Sequence, residues 1–458
     1  MKISVSNRIY FKPDEELWDY IVNQTTYRIF KPGAKFPTIY QNSGKVGNGV
    51  YWMPVTRKDL LIAKGYKLDV IDKRVSVPVD LPAPGFTLRE DQQAIFNEVE
   101  DTCIINGKPG FGKTILALAI AHKLGQKTLI VCTTTTIRAQ WEKEIRKWFG
   151  FEPGIIGSGK FNTEPMIVVS NIQTLNKHAN ALASVFGLVI VDEMHHCVAT
   201  TFTNFLTFSK ARYKIGLSGT LKRKDGLNVM FKDFFGDKVY SPAVNNTLPP
   251  IVHTFKIPVE LSGNMQVPWA DRASAVYNHQ YYKEAIRELC ALYSELGHKV
   301  LFVSDRTEII LELTDYLNEM FIDAEALIGT TRLDERDDIM ARVADGDTMV
   351  LCASQSIFSE GVSLDELSCL ILGSIVNNES LLEQLAGRIQ RITKDKLHPV
   401  FVDINLTGGV AWNQSSARRA VYYNNGWEIV DMTPERLIAL SKDATLCKPE
   451  RLPELLKL

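Results

Sequence analysis

TCIINGKPGFGKTILALAIAHKLG, residues 102–125, decides the fold. A short β-branched run leads into a glycine-rich turn, and a long apolar helical pattern follows. Inside it, GKPGFGKT (107–114) matches G-x-x-x-x-G-K-[ST] in the strand–loop–helix setting that gives the pattern its meaning. Gly107, Gly110 and Gly112, with Lys108, Pro109 and Phe111 between them, let backbone N–H groups turn toward phosphate oxygens. Lys113 reaches the β- and γ-phosphates, and the Thr114 hydroxyl is placed to ligate Mg²⁺. This is a nucleoside triphosphate site.

The same rhythm continues on the C-terminal side. KTLIVCTTT, IRAQWEKEIRKWFG, MIVVS, LVIVDE and YKIGLSG alternate apolar strands with helices, which implies a parallel sheet covered on both faces. A second series runs from HKVLFVS through TEIILELTDYLNEMF, AEALIG, LDERDDIMARVADG, TMVLCAS, LSCLILGS and ESLLEQLAGRIQRI to HPVFVDI. The predicted architecture is therefore α/β: two tandem doubly wound domains, 81–245 and 246–458, preceded by a small α+β domain, 1–80. VSVPVDLPAPGF (75–86) reads as a linker. Residues 240–270, with Pro242, Pro249, Pro250, Pro258 and Pro268, read as the connection between the two larger domains.

Residues 1–80 hold 13 Lys/Arg against 8 Asp/Glu, whereas the remainder holds 39 against 45. The same segment carries eleven aromatics, among them Tyr10, Phe11, Trp18, Tyr27, Phe30, Phe36, Tyr51 and Trp52. Cations interleaved with rings suit a nucleic-acid surface, and they equally suit a small domain that fills its core with aromatics. Seven cysteines, never closer than seventeen residues apart, argue against a disulfide framework and against a C-x-x-C metal clip. With no apolar run of eighteen residues and no apolar core in MKISVSNRIYFK, a cytoplasmic chain without membrane attachment is expected.

LVIVDEMHHC (188–197) offers carboxylates beside two histidines and a cysteine. Consecutive side chains such as His195, His196 and Cys197 rarely converge on one ion, which disfavours zinc. A Mg²⁺ at Thr114 does need an acidic partner at a neighbouring strand end. Asp192 supplies it, leaving Glu193 to orient and deprotonate the attacking water.

Asp-Glu-Met-His resembles the DExH box of superfamily 2 helicases, and the other motifs of that family follow in order over about 310 residues. The resemblance implies RecA-like motor domains using ATP and Mg²⁺. FTLREDQQ (86–93) resembles the adenine-reading segment, with Arg89 and Gln92 at the matching positions. TTTTIRAQW (133–141) and SNIQTL (170–175) resemble strand-gripping segments and bring in Thr134, Arg138, Gln173 and Thr174 as nucleic-acid contacts. LSGT (217–220) resembles the element that couples hydrolysis to movement, through Ser218 and Thr220, with His195 as the link to the ATP site. In the second domain FVSDR and SQSIFSEGVSLD supply Ser304, Arg306 and Ser356 for nucleic acid and Gly361 for nucleotide.

QLAGRIQR (384–391) matches Q-x-x-G-R-x-x-R, with Gln384, Arg388 and Arg391 expected on one helix face and the arginines delivered to the γ-phosphate. GLSGTLKRKDG resembles the XPB-like coupling segment, except that Arg223-Lys224-Asp225 carries a base where that group has an acid. The layout as a whole resembles phage UvsW-like branch-migration DNA helicases. That implies a monomeric ATPase acting on forked, four-way or duplex DNA in recombination, replication or repair, alongside other proteins of those processes, in host cytoplasm if phage-encoded. A DExH RNA helicase and a duplex-DNA translocase that leaves strands paired are the alternatives. A chain starting near residue 82 is expected to keep basal hydrolysis.

Overall fold

Leu188–Val191 is apolar throughout and Ile167–Asn171 over its first three positions, and both are buried along their whole length. Such strands need cover on both faces. They lie in an eight-stranded sheet of the computed structural model, which describes residues 1–29, 36–108, 110–196, 200–219, 221, 227–242, 247–359, 364–393 and 396–440. Its order is Lys160–Phe161, Gly154–Gly157, Ile167–Asn171, Thr128–Cys132, Leu188–Val191, Tyr213–Ser218, Cys103–Asn106, Val239–Tyr240. All pairings are parallel except the first. Helix Lys113–Leu124 is buried at every position from Leu116 to Ala121, so it is a central helix. Thr135–Phe149 is amphipathic instead, burying Ile137, Trp141, Ile145 and Phe149 at intervals of four.

The chain divides into two compact units, Met1–Asn245 and Asn246–Leu458. The second is built on a seven-stranded sheet ordered Ala324–Leu327, Val350–Ser354, Val300–Ser304, Cys369–Leu372, Val400–Thr407, Ile251–Glu260, Ile429–Asp431. Every pairing in it is parallel. Alternate residues feed separate cores on its two faces. Phe302, Ile371 and Val402 pack with Leu289 and Leu313 on one, while Leu301, Leu370 and Phe401 pack with Leu385 and Tyr422 on the other. Among the described residues no helix is long and apolar enough to cross a membrane.

Two segments read as connections are structural. Ile251–Glu260 is a ten-residue strand inside the second sheet, not a link between domains. Its pairing with Val400–Thr407 shifts register between Lys256 and Glu260, and Pro258 falls in that irregularity, where its missing N–H costs no ladder bond. Prolines around it disguised a strand that the sheet accommodates by slipping register. Likewise, 75–86 is stitched to the first unit: Val75 bridges Ala211, Pro78 bridges Gln126, and Leu81 is buried.

Residues 1–72 form a five-stranded sheet (Gly44–Gly47, Val50–Pro54, Arg8–Phe11, Lys2–Val5, Asp69–Asp72) with helix Glu15–Thr25 packed on it, plus a hairpin of Thr26–Ile29 and Thr38–Gln41. Core filling accounts for part of the aromatic content: Phe11 and Tyr27 are buried, and Trp18 lies against Tyr51. Arg8 stacks 3.5 Å over Trp52.

This domain does not stand apart. Tyr27 and Ile29 join the same buried cluster as Met194, Phe231 and Phe235. Asp233 lies in helix Phe231–Phe235 with its side chain fully buried. It accepts hydrogen bonds from Tyr27 Oη (2.9 Å), Asn42 Nδ2 (2.9 Å) and Arg57 Nη1 (3.2 Å). Burial pushes its carboxyl up, opposed by the bonds from Asn42 and Tyr27 and by the Arg57 charge.

Candidate ATPase and nucleic-acid site

The chemistry gathers where three adjacent parallel strands end. Cys103–Asn106 runs into the glycine-rich loop, Leu188–Val191 into Asp192, and Tyr213–Ser218 lies between them. Strand ends of a doubly wound sheet are where ligands sit. Gly112 begins the helix at φ +81, and a Cβ there would fall 2.5 Å from Gln92 Nε2. The loop can close only as bare backbone at the head of helix Lys113–Leu124, whose first N–H groups have no partner within the helix. Gln92 Nε2 donates to Phe111 O at 2.9 Å and Arg89 Nη2 to the same oxygen at 2.6 Å, while Lys113 Nζ rests on Gly107 O at 2.8 Å. Arg89 and Gln92 thus brace the loop from behind. Pro109 lies outside the described residues.

Asp192 is tied at both oxygens. Oδ1 accepts from the Glu193 N–H at 2.9 Å and Oδ2 from the Trp141 indole N–H at 2.8 Å. Burial and the neighbouring Glu193 charge raise its pKa. Glu193 is held at φ +47, a left-handed conformation that a residue with a Cβ adopts at a cost of ~1–3 kcal/mol and that clusters at functional positions. His195 Nδ1 lies 3.0 Å from Ser218 Oγ and 3.2 Å from Glu193 Oε2. One imidazole therefore joins the glutamate to the strand that carries the coupling motif. Met194 is seated against Gly216 of that strand, where a Cβ would meet its sulfur at 2.2 Å. These residues fit Mg²⁺ and a nucleotide: a bare-backbone cradle, Lys113, the Thr114 hydroxyl, and a carboxylate with fixed orientation. Among the described residues no group of three His, Cys, Asp or Glu is placed to hold a metal on its own. Thr220 and Arg223-Lys224-Asp225 lie outside the described residues.

The expected nucleic-acid positions of the first unit follow the next two strands. Thr134 caps helix Thr135–Phe149, accepting from the Ile137 N–H. Arg138 is held by Glu142 (3.0 Å), Asn171 Oδ1 (2.8 Å) and Ser158 Oγ (3.2 Å). Gln173 is exposed and donates to Thr133 O at 3.3 Å, and Thr174 lies beside it in helix Ile172–Lys177.

In the second unit, Ser304 is buried at its strand end and accepts from the Arg306 N–H, and the Arg306 guanidinium sits over Tyr277. Ser356 is exposed, beside Ser354. Gln384 belongs to helix Glu379–Ala386, whereas Arg388 and Arg391 lie beyond its end. The helix ends at Ala386 with Gly387 as its cap, and Arg388 and Ile389 donate back three residues in a tighter turn. Arg391 has left the helix altogether and pairs with Thr247 in an antiparallel bridge. The buried Ile389 and Gln390 and that bridge redirect the chain. The Arg391 guanidinium is paired with Asp365, and Lys396 Nζ clamps the pair, donating to Asp365 O (2.7 Å) and Arg391 O (2.8 Å). Burial pushes the Lys396 ammonium down to about 8, against the pull of Asp365. Gly361 lies outside the described residues.

The roles of Trp141, Asn171, Asp365 and Lys396 are not visible in the sequence. Trp141 and Asp365 each end a motif, and Asn171 lies within one, but a motif does not show which side chain turns back to hold another.

A glycine-rich phosphate loop, an Asp-Glu pair at the next strand end but one, and a second parallel-sheet unit bearing arginines define a P-loop ATPase of the helicase class. Residues 85–223 match the family model described as type III restriction enzyme, res subunit, and residues 283–393 match the helicase conserved C-terminal domain. The chain is 62% identical over 445 residues to "Probable helicase D10" of Escherichia phage T5, covering 97% of this chain and 99% of that protein. The chain belongs to the superfamily 2 helicases and is an ATP-hydrolysing enzyme that acts on nucleic acid. It is also 27% identical over 351 residues to "DNA 3'-5' translocase XPB2" of Sulfurisphaera tokodaii, covering 68% of this chain and 79% of that one. The crystal structure of T4 UvsW aligns over 94% of this chain and 99% of its own at 16% identity, with a TM-score of 0.41.

Proposed function

We propose that this helicase is a DNA translocase that unwinds or branch-migrates forked and four-way DNA. The observation that carries the reading is the continuity of strand ends in the first unit. The strands flanking Asp192 on the far side from the phosphate loop run into Thr134 and Gln173, so a polynucleotide track would adjoin the hydrolytic edge. The name of the Sulfurisphaera relative, a DNA translocase, supports DNA as the track.

In this reading Lys113 neutralises the β- and γ-phosphates, and Arg89 and Gln92 keep the loop in shape and meet the adenine. Thr114 and Asp192 would hold Mg²⁺, which when bound offsets charge on the phosphoryl oxygens. Glu193 takes the proton of the attacking water, with His195 Nδ1 3.2 Å from its Oε2. Through His195 and Ser218 the state of Glu193 is felt on the coupling strand. Arg391, with Arg388 and Gln384, stabilises charge on the transferring phosphoryl group. Contacts to phosphates rather than bases give weak sequence preference and strong salt dependence. The basic N-terminal domain meets the duplex arm or the junction.

Steady-state ATPase at one fixed salt, without nucleic acid and with single-stranded DNA, duplex, fork, four-way junction or RNA, tests this. Forks and junctions should stimulate more than plain single strands. Stimulation by RNA alone defeats the DNA reading, and equal stimulation by plain duplex replaces branch migration with translocation that leaves strands paired.

A further inference from the structure

A carboxylate that is to hold a cation at the end of a buried strand must present one geometry, because in an apolar setting every misdirected lone pair is a cost not met by water. Asp192 is tied twice, and the two ties differ. The Glu193 N–H at 2.9 Å is part of the same backbone turn and cannot be lost without unmaking it. The Trp141 indole at 2.8 Å comes from a different element, fifty-one residues away in sequence. Trp141 is 1% exposed and sits in the core with Ile137, Ile145 and Phe149 of its own helix, so the ring has little freedom to follow the carboxylate if either moves.

The same helix reaches the proposed polynucleotide track. Arg138 lies one turn before Trp141, and its guanidinium is bound to Asn171, the last residue of strand Ile167–Asn171, two positions before Gln173. Ile137, Ile145 and Phe149 are buried on the Trp141 face, so Arg138 and the indole are carried by one packed helix. A displacement of roughly 1 Å would carry a 2.8 Å bond beyond hydrogen-bonding distance.

We propose that Trp141 is a positioning residue: its indole N–H fixes the Asp192 carboxylate for the divalent ion, and helix Thr135–Phe149 relays the state of the polynucleotide track to the ATP site through that bond. The second half rests on the reading of Arg138 and Gln173 as track residues. Donors of this kind, one step removed from a metal ligand, alter metal affinity about 10- to 100-fold when lost.

The test uses the full chain with Trp141→Phe and, separately, with Trp141 replaced by β-(3-benzothienyl)alanine, which keeps the ring's size and puts sulfur where the N–H was. Binding of a fluorescent, non-hydrolysable ATP analogue is titrated with Mg²⁺ and repeated in EDTA. Both variants should bind the analogue normally in EDTA while the Mg²⁺ midpoint rises about 10-fold. At saturating Mg²⁺, DNA should stimulate their turnover less, relative to basal turnover, than it stimulates the unaltered chain. An unchanged Mg²⁺ midpoint in the benzothienyl variant overturns the proposal, and so does an equal loss of binding with and without Mg²⁺, which would make the ring mere filling. A shifted midpoint with full stimulation keeps the positioning role and overturns the relay. If no polynucleotide stimulates even the unaltered chain, it is the proposed function that fails, and the Mg²⁺ titration still decides the role of Trp141.

Discussion

The two parallel sheets are close in construction and opposite in chemistry. In the first unit the strand ends carry a phosphate loop, two carboxylates and a histidine that ties one of them to the neighbouring strand. In the second, the corresponding edge carries hydroxyls and arginines, and Arg391 is already satisfied by Asp365 with Lys396 over it. In the proposed reading the first architecture binds the nucleotide and the second supplies positive charge. The difference lies wholly in loops and strand ends, not in the sheets.

Removing a key group from either side should break this division of labour. The largest effect is expected for Lys113→Ala, which should take ATP turnover to background and abolish nucleotide binding measured by equilibrium titration. Arg391→Ala should leave that binding nearly intact while lowering kcat by ~10³-fold or more. A variant that bound nucleotide poorly instead would show that Arg391 belongs to the binding side.

The comparison sharpens further in stability. Arg57→Met strands a buried carboxylate in the first unit only and should cost about 3–5 kcal/mol in its unfolding transition, most of it recovered by adding Asp233→Leu. A truncation at residue 82 strips Asp233 of Tyr27, Asn42 and Arg57 together, so it should unfold the first unit, contrary to the expectation of preserved basal hydrolysis.

The smallest effect is specific to the second unit. His253 and His298, either side of Tyr293, are pushed down to about 4 by burial, His298 also by His253. Folded values below the ordinary 6.5 mean that their contribution is complete above pH 6.5 and is lost as pH falls through about 4. Thermal unfolding of the second unit followed from pH 7 to pH 4 should show a falling midpoint, and His253→Phe with His298→Phe should flatten that slope.

Much of this could be read from the chain, and what escaped had physical causes. Short β-branched apolar runs such as LVIVDE and KTLIVC announce buried parallel strands because such side chains pack well on a sheet covered on both faces. The loop at 107–114 is legible because phosphate binding leaves so few backbone solutions. Ile251–Glu260 escaped because prolines signal breakage locally, whereas a register shift is decided by the partner strand. The helical spacing of Arg388 and Arg391 failed because Gly387 and the bridge to Thr247 outweigh periodicity. Trp141 escaped because its bond spans fifty-one residues, and a core tryptophan looks the same in sequence whether or not its N–H has a task.

The carboxylate of Asp233 carries a consequence for how such a chain could be assembled or re-engineered. A small domain joined by a linker can be transplanted as a cassette. Here its tether is the receptor helix Phe231–Phe235, which lies some 150 residues downstream, just past the coupling motif. A graft of residues 1–80 onto another motor would arrive with an arginine, a tyrosine and an asparagine reaching for an acid that the host lacks. The smallest portable piece is thus the first 245 residues taken whole.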